Sequence, residues 1–249
     1  MNLEAGSIVE YSDSELDAAD KWILSRLDSV INEVTDNLEK FELGIAAQKI
    51  YDFIWGDYCD WYIELAKIRL NSGKQEDKNI AVSVLVNVLN AAVRLLHPIM
   101  PFITEEIYRH LPGVSSSIMR STWPKASGKD YSEEASDMDS VMQVITAIRN
   151  RRAEMNVPPS KRTSLFISSK KIDSFLKCAK YIERLAYVNE VSKLPDGYDV
   201  TNTVSVVTGD ADIYIPLNEL IDPEKEIKRL SDEREKLRSE IARAEGKLN

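Results

Sequence analysis

Apolar residues recur at helical spacing through more than half of this chain. Leu16, Ala19, Ile23, Leu27, Val30, Val34 and Leu38 follow one another at helical intervals, and Ser14 with an acid three places later, Asp17, offers an N-cap signal. The spacing predicts a first helix from Ser14 to about Lys40. A second is predicted from about Glu42 to Leu70, with Ala46, Ile50, Phe53, Ile54, Trp61, Leu65 and Ile68 on one broad face. Gly44 and Gly56 weaken it without ending it. After the turn Asn71-Ser-Gly-Lys, the positions Ile80, Val84, Val88, Ala91, Ala92 and Leu95 make a third helix, because the segment is too long for a strand. Pro98 and Pro101 lack an N–H donor and restrain the residue before them, so this helix stops near Leu96. Phe102, Ile103, Ile107 and Leu111 give a short fourth helix, and the four predict an antiparallel bundle.

Beyond Trp123-Pro-Lys the stretch ASGKDYSEEASD is polar and contains glycine and serine, which marks a domain boundary. A fifth helix follows, striped by Met138, Val141, Ile145, Ile148 and Met155 and ended by Pro158-Pro159. A strand (Leu165 to Ser168), a helix through Ile172, Phe175, Leu176, Ala179 and Ile182, and the alternating segments TVSVV and DIYIPL predict a small α+β domain. From Pro223 onward, Ile227, Leu230, Leu237, Ile241, Ala244 and Leu248 form a heptad seam on an otherwise charged helix, the first arm of a truncated coiled-coil hairpin. The expected organisation is mainly α: a helical bundle over 1–128, a small α+β domain over 129–222, and the coiled-coil helix over 223–249.

Composition narrows the function. No apolar run is evident that is long enough to cross a bilayer, and a charged fraction of 29% predicts a soluble chain with no membrane role. No basic residue precedes Lys21, which excludes a secretory or transit leader and leaves the cytoplasm as the expected location. Cys59 and Cys178 stand apart and outside any CxxC pair, so they are expected as buried thiols, with no metal site. The net charge of −9 argues against a general nucleic-acid binder, but Arg149, Arg151, Arg152, Lys161 and Arg162 stand against only Glu154 in their stretch.

Two runs carry a resemblance: YDFIWGDYCDWYIELAK, from Tyr51 to Lys67, and LLHPIMPFITEEIY, from Leu95 to Tyr108. With Ala19-Asp-Lys-Trp-Ile-Leu-Ser-Arg-Leu27 and Ala147-Ile-Arg-Asn-Arg-Arg-Ala-Glu-Met-Asn-Val-Pro-Pro-Ser-Lys161, the chain resembles the region after the catalytic core of valyl-tRNA synthetases. That resemblance implies the class I synthetase anticodon-binding bundle, a small domain and a coiled-coil arm that together grip tRNA(Val). It implies partners in the catalytic and editing domains of one polypeptide, acting as a monomer, with ATP and magnesium used by the whole enzyme. The phosphate-handling motifs His-x-Gly-His and Lys-Met-Ser-Lys-Ser do not occur here, so no catalytic residue and no cofactor are assigned to this chain. The piece is expected to be inactive in valine activation alone.

Candidate contacts follow. Lys21, Trp22 and Arg26 are candidates for the anticodon region, with Trp22 as an exposed stacking ring. Most of the aromatic row from Tyr51 to Tyr62 is expected in the core, since six rings in so short a helix surround it. Arg149, Arg151, Arg152, Lys161 and Arg162 are candidates for the tRNA backbone, because guanidinium groups suit phosphates. The alternative for them is pairing with Glu154 or Glu133. In the terminal helix Lys228, Arg229, Arg238 and Arg243 are candidates on the arm, where a solvated coiled-coil face is the alternative. His97, His110, Glu105 and Glu106 are read as structural. The rival function is a helical scaffold that docks a protein through its terminal coiled coil.

Overall fold

A computed structural model of the chain describes residues 7–220 together with the helical, exposed positions Ser231, Arg234, Glu235, Leu237, Arg238 and Ile241. The predicted arm otherwise lies outside the described residues, as do Lys228, Arg229 and Arg243. The chain divides into two compact units, Met1–Asp139 and Ser140–Asn249.

The first unit is helical. It contains α1 (Ala18–Glu39), α2 (Leu43–Asp52), a π-helical segment (Phe53–Tyr62), α3 (Ile63–Leu70), α4 (Gln75–Leu96) and α5 (Pro101–Arg109). The start of α1 differs from expectation. Ser12 and Glu15 cap a separate 3-10 turn, and Asp17 is the true N-cap, accepting from the Ala19 and Asp20 amides at 3.1 Å each. Asp20 returns a bond to the Asp17 amide at 3.2 Å, so two carboxylates satisfy the open helix end. The predicted second helix is continuous but winds as a π-helix over FIWGDYCDWY, which redistributes its aromatics around the axis. Phe53, Tyr58 and Tyr62 face the core, Trp61 is half-buried, and Tyr51 and Trp55 point outward.

Trp22, Ile23 and Val34 of α1, Ile50 of α2, Leu65 of α3 and Leu85 and Leu95 of α4 fill the centre of the bundle. By length and hydropathy α4 does qualify to cross a membrane, contrary to the sequence expectation; its burial inside the bundle accounts for that apolarity. Cys178 is buried as expected, whereas Cys59 is partly exposed.

One charged cluster ties the unit together. Asp20 is fully buried, accepts a hydrogen bond from the Tyr62 hydroxyl at 2.7 Å and is ion-paired to Arg69. Arg69 also donates to the Glu15 carbonyl at 3.2 Å and lies 3.5 Å from Asp77. Residues before α1, in the π segment, in α3 and at the start of α4 thus meet at a single point. The polar stretch after Trp123 is equally tied down. The Trp123 indole donates to Thr35 at 2.9 Å, and the Asp28 carboxylate accepts from the Ser127 and Gly128 amides at 2.9 and 3.2 Å. Asp13 accepts from Tyr131 at 2.9 Å and pairs with Lys129.

The helix α6 (Ser132–Glu154) begins in the first unit and ends in the second. The second unit adds β1 (Thr163–Ser168), α7 (Ile172–Lys177), α8 (Ala179–Leu185), β2 (Val188–Lys193), β3 (Thr203–Val207), β4 (Asp212–Pro216) and α9 (Leu217–Leu220). The strand order is β2-β1-β4-β3, with β1 and β2 parallel and the other pairs antiparallel. The strand β2 was absent from the sequence expectation because Val188 and Val191 alone are buried in it and show no alternation. The helix expected through Ile182 is broken at Cys178 into α7 and α8.

Burial raises the Asp20 carboxyl to about 6, Asp17 pushes it the same way, and Arg69 and Tyr62 oppose them. Replacing Arg69 by Met leaves this group buried without its cation, at a cost of about 3–5 kcal/mol, and raises the carboxyl further. Below its pKa the carboxyl is protonated and the penalty shrinks; above it an unpaired charge is buried. Urea unfolding at about pH 5 and about pH 8 should therefore show a larger deficit for R69M at the higher pH. Equal deficits would rule out Asp20 as the buried charge.

Candidate nucleic-acid interface

Two corners of the helical unit carry exposed apolar side chains. At the α1–α2 corner, Phe41, Leu43 and Ile45 are exposed; at the α4–α5 corner, Ile99, Met100, Phe102 and Ile103 are exposed. The chain runs along α1 away from the Asp20–Arg69 cluster, returns through α2 and α3 to it, and leaves again along α4. Both corners therefore lie at the opposite end of the bundle, and α1 alone spans about 33 Å at 1.5 Å per residue. Between the corners is a groove of about 370 Å³, walled by Tyr51, Ile54 and Trp55 on one side and Leu96, Ile99 and Met100 on the other. The Tyr51 and Trp55 rings are 60% and 59% exposed, lie parallel within 4° and have centroids 6.4 Å apart. Seven exposed apolar side chains at the two corners, with the two rings between them, make this end of the bundle the candidate binding surface.

Phe41 has a distinct conformation. The Phe41 amide donates to Leu38 at 3.1 Å and the Glu42 amide to Asn37 at 2.8 Å, the pattern that closes a helix with a left-handed residue. Phe41 takes that position at φ 60°, where glycine or asparagine is usual, and its ring is 88% exposed. A bulky side chain there costs about 1–2 kcal/mol and gains no burial. The same closure at the end of α6 uses Asn156, an ordinary choice.

The structure corrects the reading of Trp22. Its side chain is 1% exposed and its indole N–H donates to Asp139 at 2.8 Å, so it offers no face to a base. Its position on the apolar stripe prevails over the charged residues beside it. Lys21, at the Asp20 end of α1, pairs with Glu134 at 2.8 Å, and Arg26, nearer the middle of the helix, pairs with Asp57 at 3.0 Å. His97 bridges the α4–α5 corner through Thr104, 2.7 Å from its Nδ1, and Glu105 accepts from Ser117 and the Ile118 amide.

Within the second unit, Arg152 departs from expectation in the same manner. It is 3% exposed, donates to the carbonyls of Pro158 and Lys161, and lies 5.9 Å from the centre of the Tyr187 ring. Burial lowers its pKa, and it serves the loop that leads into β1. Arg151 is exposed and pairs with Glu154 at 3.1 Å, while Lys161 is half-buried. Arg149 and Arg162 are exposed, yet each spends one N–H on a main-chain carbonyl, Leu185 at 2.6 Å and Val188 at 3.1 Å. Arg238 is exposed in its helix. Sequence spacing missed Phe41, Tyr51, Trp55 and Phe102 as surface residues; Phe41 at a helix end, where glycine is common, was the available signal.

Residues 20–167 match the family described as the anticodon-binding domain of tRNA ligase. A valine–tRNA ligase of Clostridium acetobutylicum is 47% identical over the whole of this chain, which covers 29% of that relative. The valine–tRNA ligase of Thermotoga maritima is 41% identical over the whole chain, which covers 28% of it, and that of Listeria monocytogenes is also 41% identical, with 29% covered. The chain thus spans less than a third of the length of these relatives. With more than half of its residues inside that match, the chain belongs to the anticodon-binding domain family of tRNA ligases.

Proposed function

We propose that this chain is the tRNA-gripping part of a cytoplasmic, monomeric valine–tRNA ligase, and that its bundle receives the anticodon loop of tRNA(Val). The whole protein joins valine to tRNA with ATP, and the catalytic and editing domains of the same polypeptide do the chemistry. The grip contributes orientation and substrate choice. The observation that carries the reading is identity to valine–tRNA ligases along the full chain, joined to an exposed aromatic surface at one end of the bundle. Loop bases are already unstacked and bind by stacking on aromatic faces. Tyr51, Trp55, Phe41 and Phe102 supply such faces, so they replace Trp22 as the base-contacting candidates. Lys21 lies at the opposite end of α1, where it suits the stem better than the loop, and Arg26 lies between, paired with Asp57 two residues from Trp55.

A titration of the chain with tRNA(Val) and with an anticodon-altered version should give tighter binding to the first. Equal affinities would remove anticodon reading by this chain. Trp55→Ala should weaken tRNA(Val) binding by about 1–3 kcal/mol, the usual worth of one stacked base.

Phe41→Gly separates binding from folding. It should stabilise the chain by about 0.5–1 kcal/mol, because relief of the left-handed strain exceeds the entropy cost of glycine, while tRNA affinity falls. Urea unfolding and the same titration check both; a variant that is less stable would refute the strain at this corner.

A further inference from the structure

Two arginines anchor one turn of the second unit, and a third precedes it in sequence. The turn joins α8 to β2 through Ala186 and Tyr187, and Tyr187 has φ 57°, so the chain reverses there in a left-handed step. Arg149, from α6, donates through Nε to the Leu185 carbonyl on one side of it. Arg162, just ahead of β1, donates through Nη1 to the Val188 carbonyl on the other side. Arg184 is exposed in the last turn of α8, immediately before Leu185. Buried Arg152 lies 5.9 Å from the centre of the Tyr187 ring.

None of Arg149, Arg162 and Arg184 has a carboxylate within ion-pair distance among the described residues. Of the acids near them in sequence, Glu154 pairs with Arg151, Glu183 is half-buried and Glu190 accepts from Ser192 at 3.2 Å; the other acids of α6, Glu133, Glu134, Asp137 and Asp139, lie in its N-terminal part. A guanidinium that anchors one edge on a carbonyl holds its plane fixed and keeps other N–H groups for a second acceptor. Two anchored guanidiniums on either side of this turn, with exposed Arg184 next to it in sequence, offer donors suited to doubly accepting, negatively charged oxygens.

We infer that Arg149, Arg162 and Arg184 form a second contact surface that takes the phosphodiester backbone of RNA, with Arg152 as a positioning residue under the turn. The inference rests on the chain being a tRNA binder but is independent of anticodon reading. A phosphodiester fits these donors because its two non-bridging oxygens share one negative charge and accept two N–H groups from one guanidinium. Binding of this type is blind to base sequence and sensitive to salt.

The test measures tRNA affinity across a salt series for the unsubstituted chain, R184Q and the triple variant R149Q/R162Q/R184Q, each with tRNA(Val) and an anticodon-altered tRNA. Arg184 holds nothing among the described residues, so R184Q keeps the fold, and thermal unfolding monitors the triple variant. The log–log salt slope should flatten by about 0.7–0.9 for each phosphate that is no longer neutralised, by the same amount for both tRNAs. An unchanged slope in R184Q and in a folded triple variant overturns the surface. Flattening with tRNA(Val) alone overturns its indifference to sequence. If the unsubstituted chain binds neither tRNA, the proposed function fails together with it, whereas loss of anticodon discrimination with a normal salt response leaves this surface standing.

Discussion

The bundle depends on a buried ion pair whose two ends belong to different helices. Asp20 sits at the third position of α1, where a carboxylate already serves the open amides, and the same group receives Arg69 from α3 and the Tyr62 hydroxyl from the π segment. Burying an ion pair is costly unless further bonds satisfy the remaining donors and acceptors. Here the Glu15 carbonyl, Asp17 and Asp77 do so for Arg69. The helices are consequently fixed in register at this end.

Packing explains which parts of the fold were legible in the sequence. Helical periodicity was sufficient for α1, α4 and α6, because their stripes pack against neighbours along nearly their full length. It was insufficient for β2, an edge strand held through its backbone to β1 with two buried side chains. The candidate site was less legible than the fold. Trp22 follows Asp20 and Lys21 and yet is in the core, whereas Trp55 stands beside Phe53 and Ile54 and faces solvent. Only the π-helical winding of the second helix separates Phe53, Tyr58 and Tyr62 from Tyr51 and Trp55, and no spacing rule for an α-helix contains that winding. The arginines divide for a similar reason: Arg149 and Arg152 are one helical turn apart, yet the former is exposed and the latter is enclosed by the loop of Pro158 and Lys161.

Two of the left-handed residues are aromatic. Phe41 and Tyr187 are aromatic at positions where the backbone favours glycine or asparagine, whereas Asn156 is the ordinary solution. Local strain persists where surrounding structure fixes it, and such sites concentrate where a molecule is recognised. At Phe41 the strain projects a ring outward; at Tyr187 it sets a ring beneath a cluster of cations.

The stretch from Trp123 to Tyr131 has the glycine, serine and charge content of a tether between domains, yet it is laid along α1 from Thr35 back to Asp13. Asp28 holds its tightest bend, where Gly128 takes φ 71°. A protease that selects extended, yielding segments would find no such substrate here, and the chain would resist cutting at the very place where composition suggests a natural cleavage point.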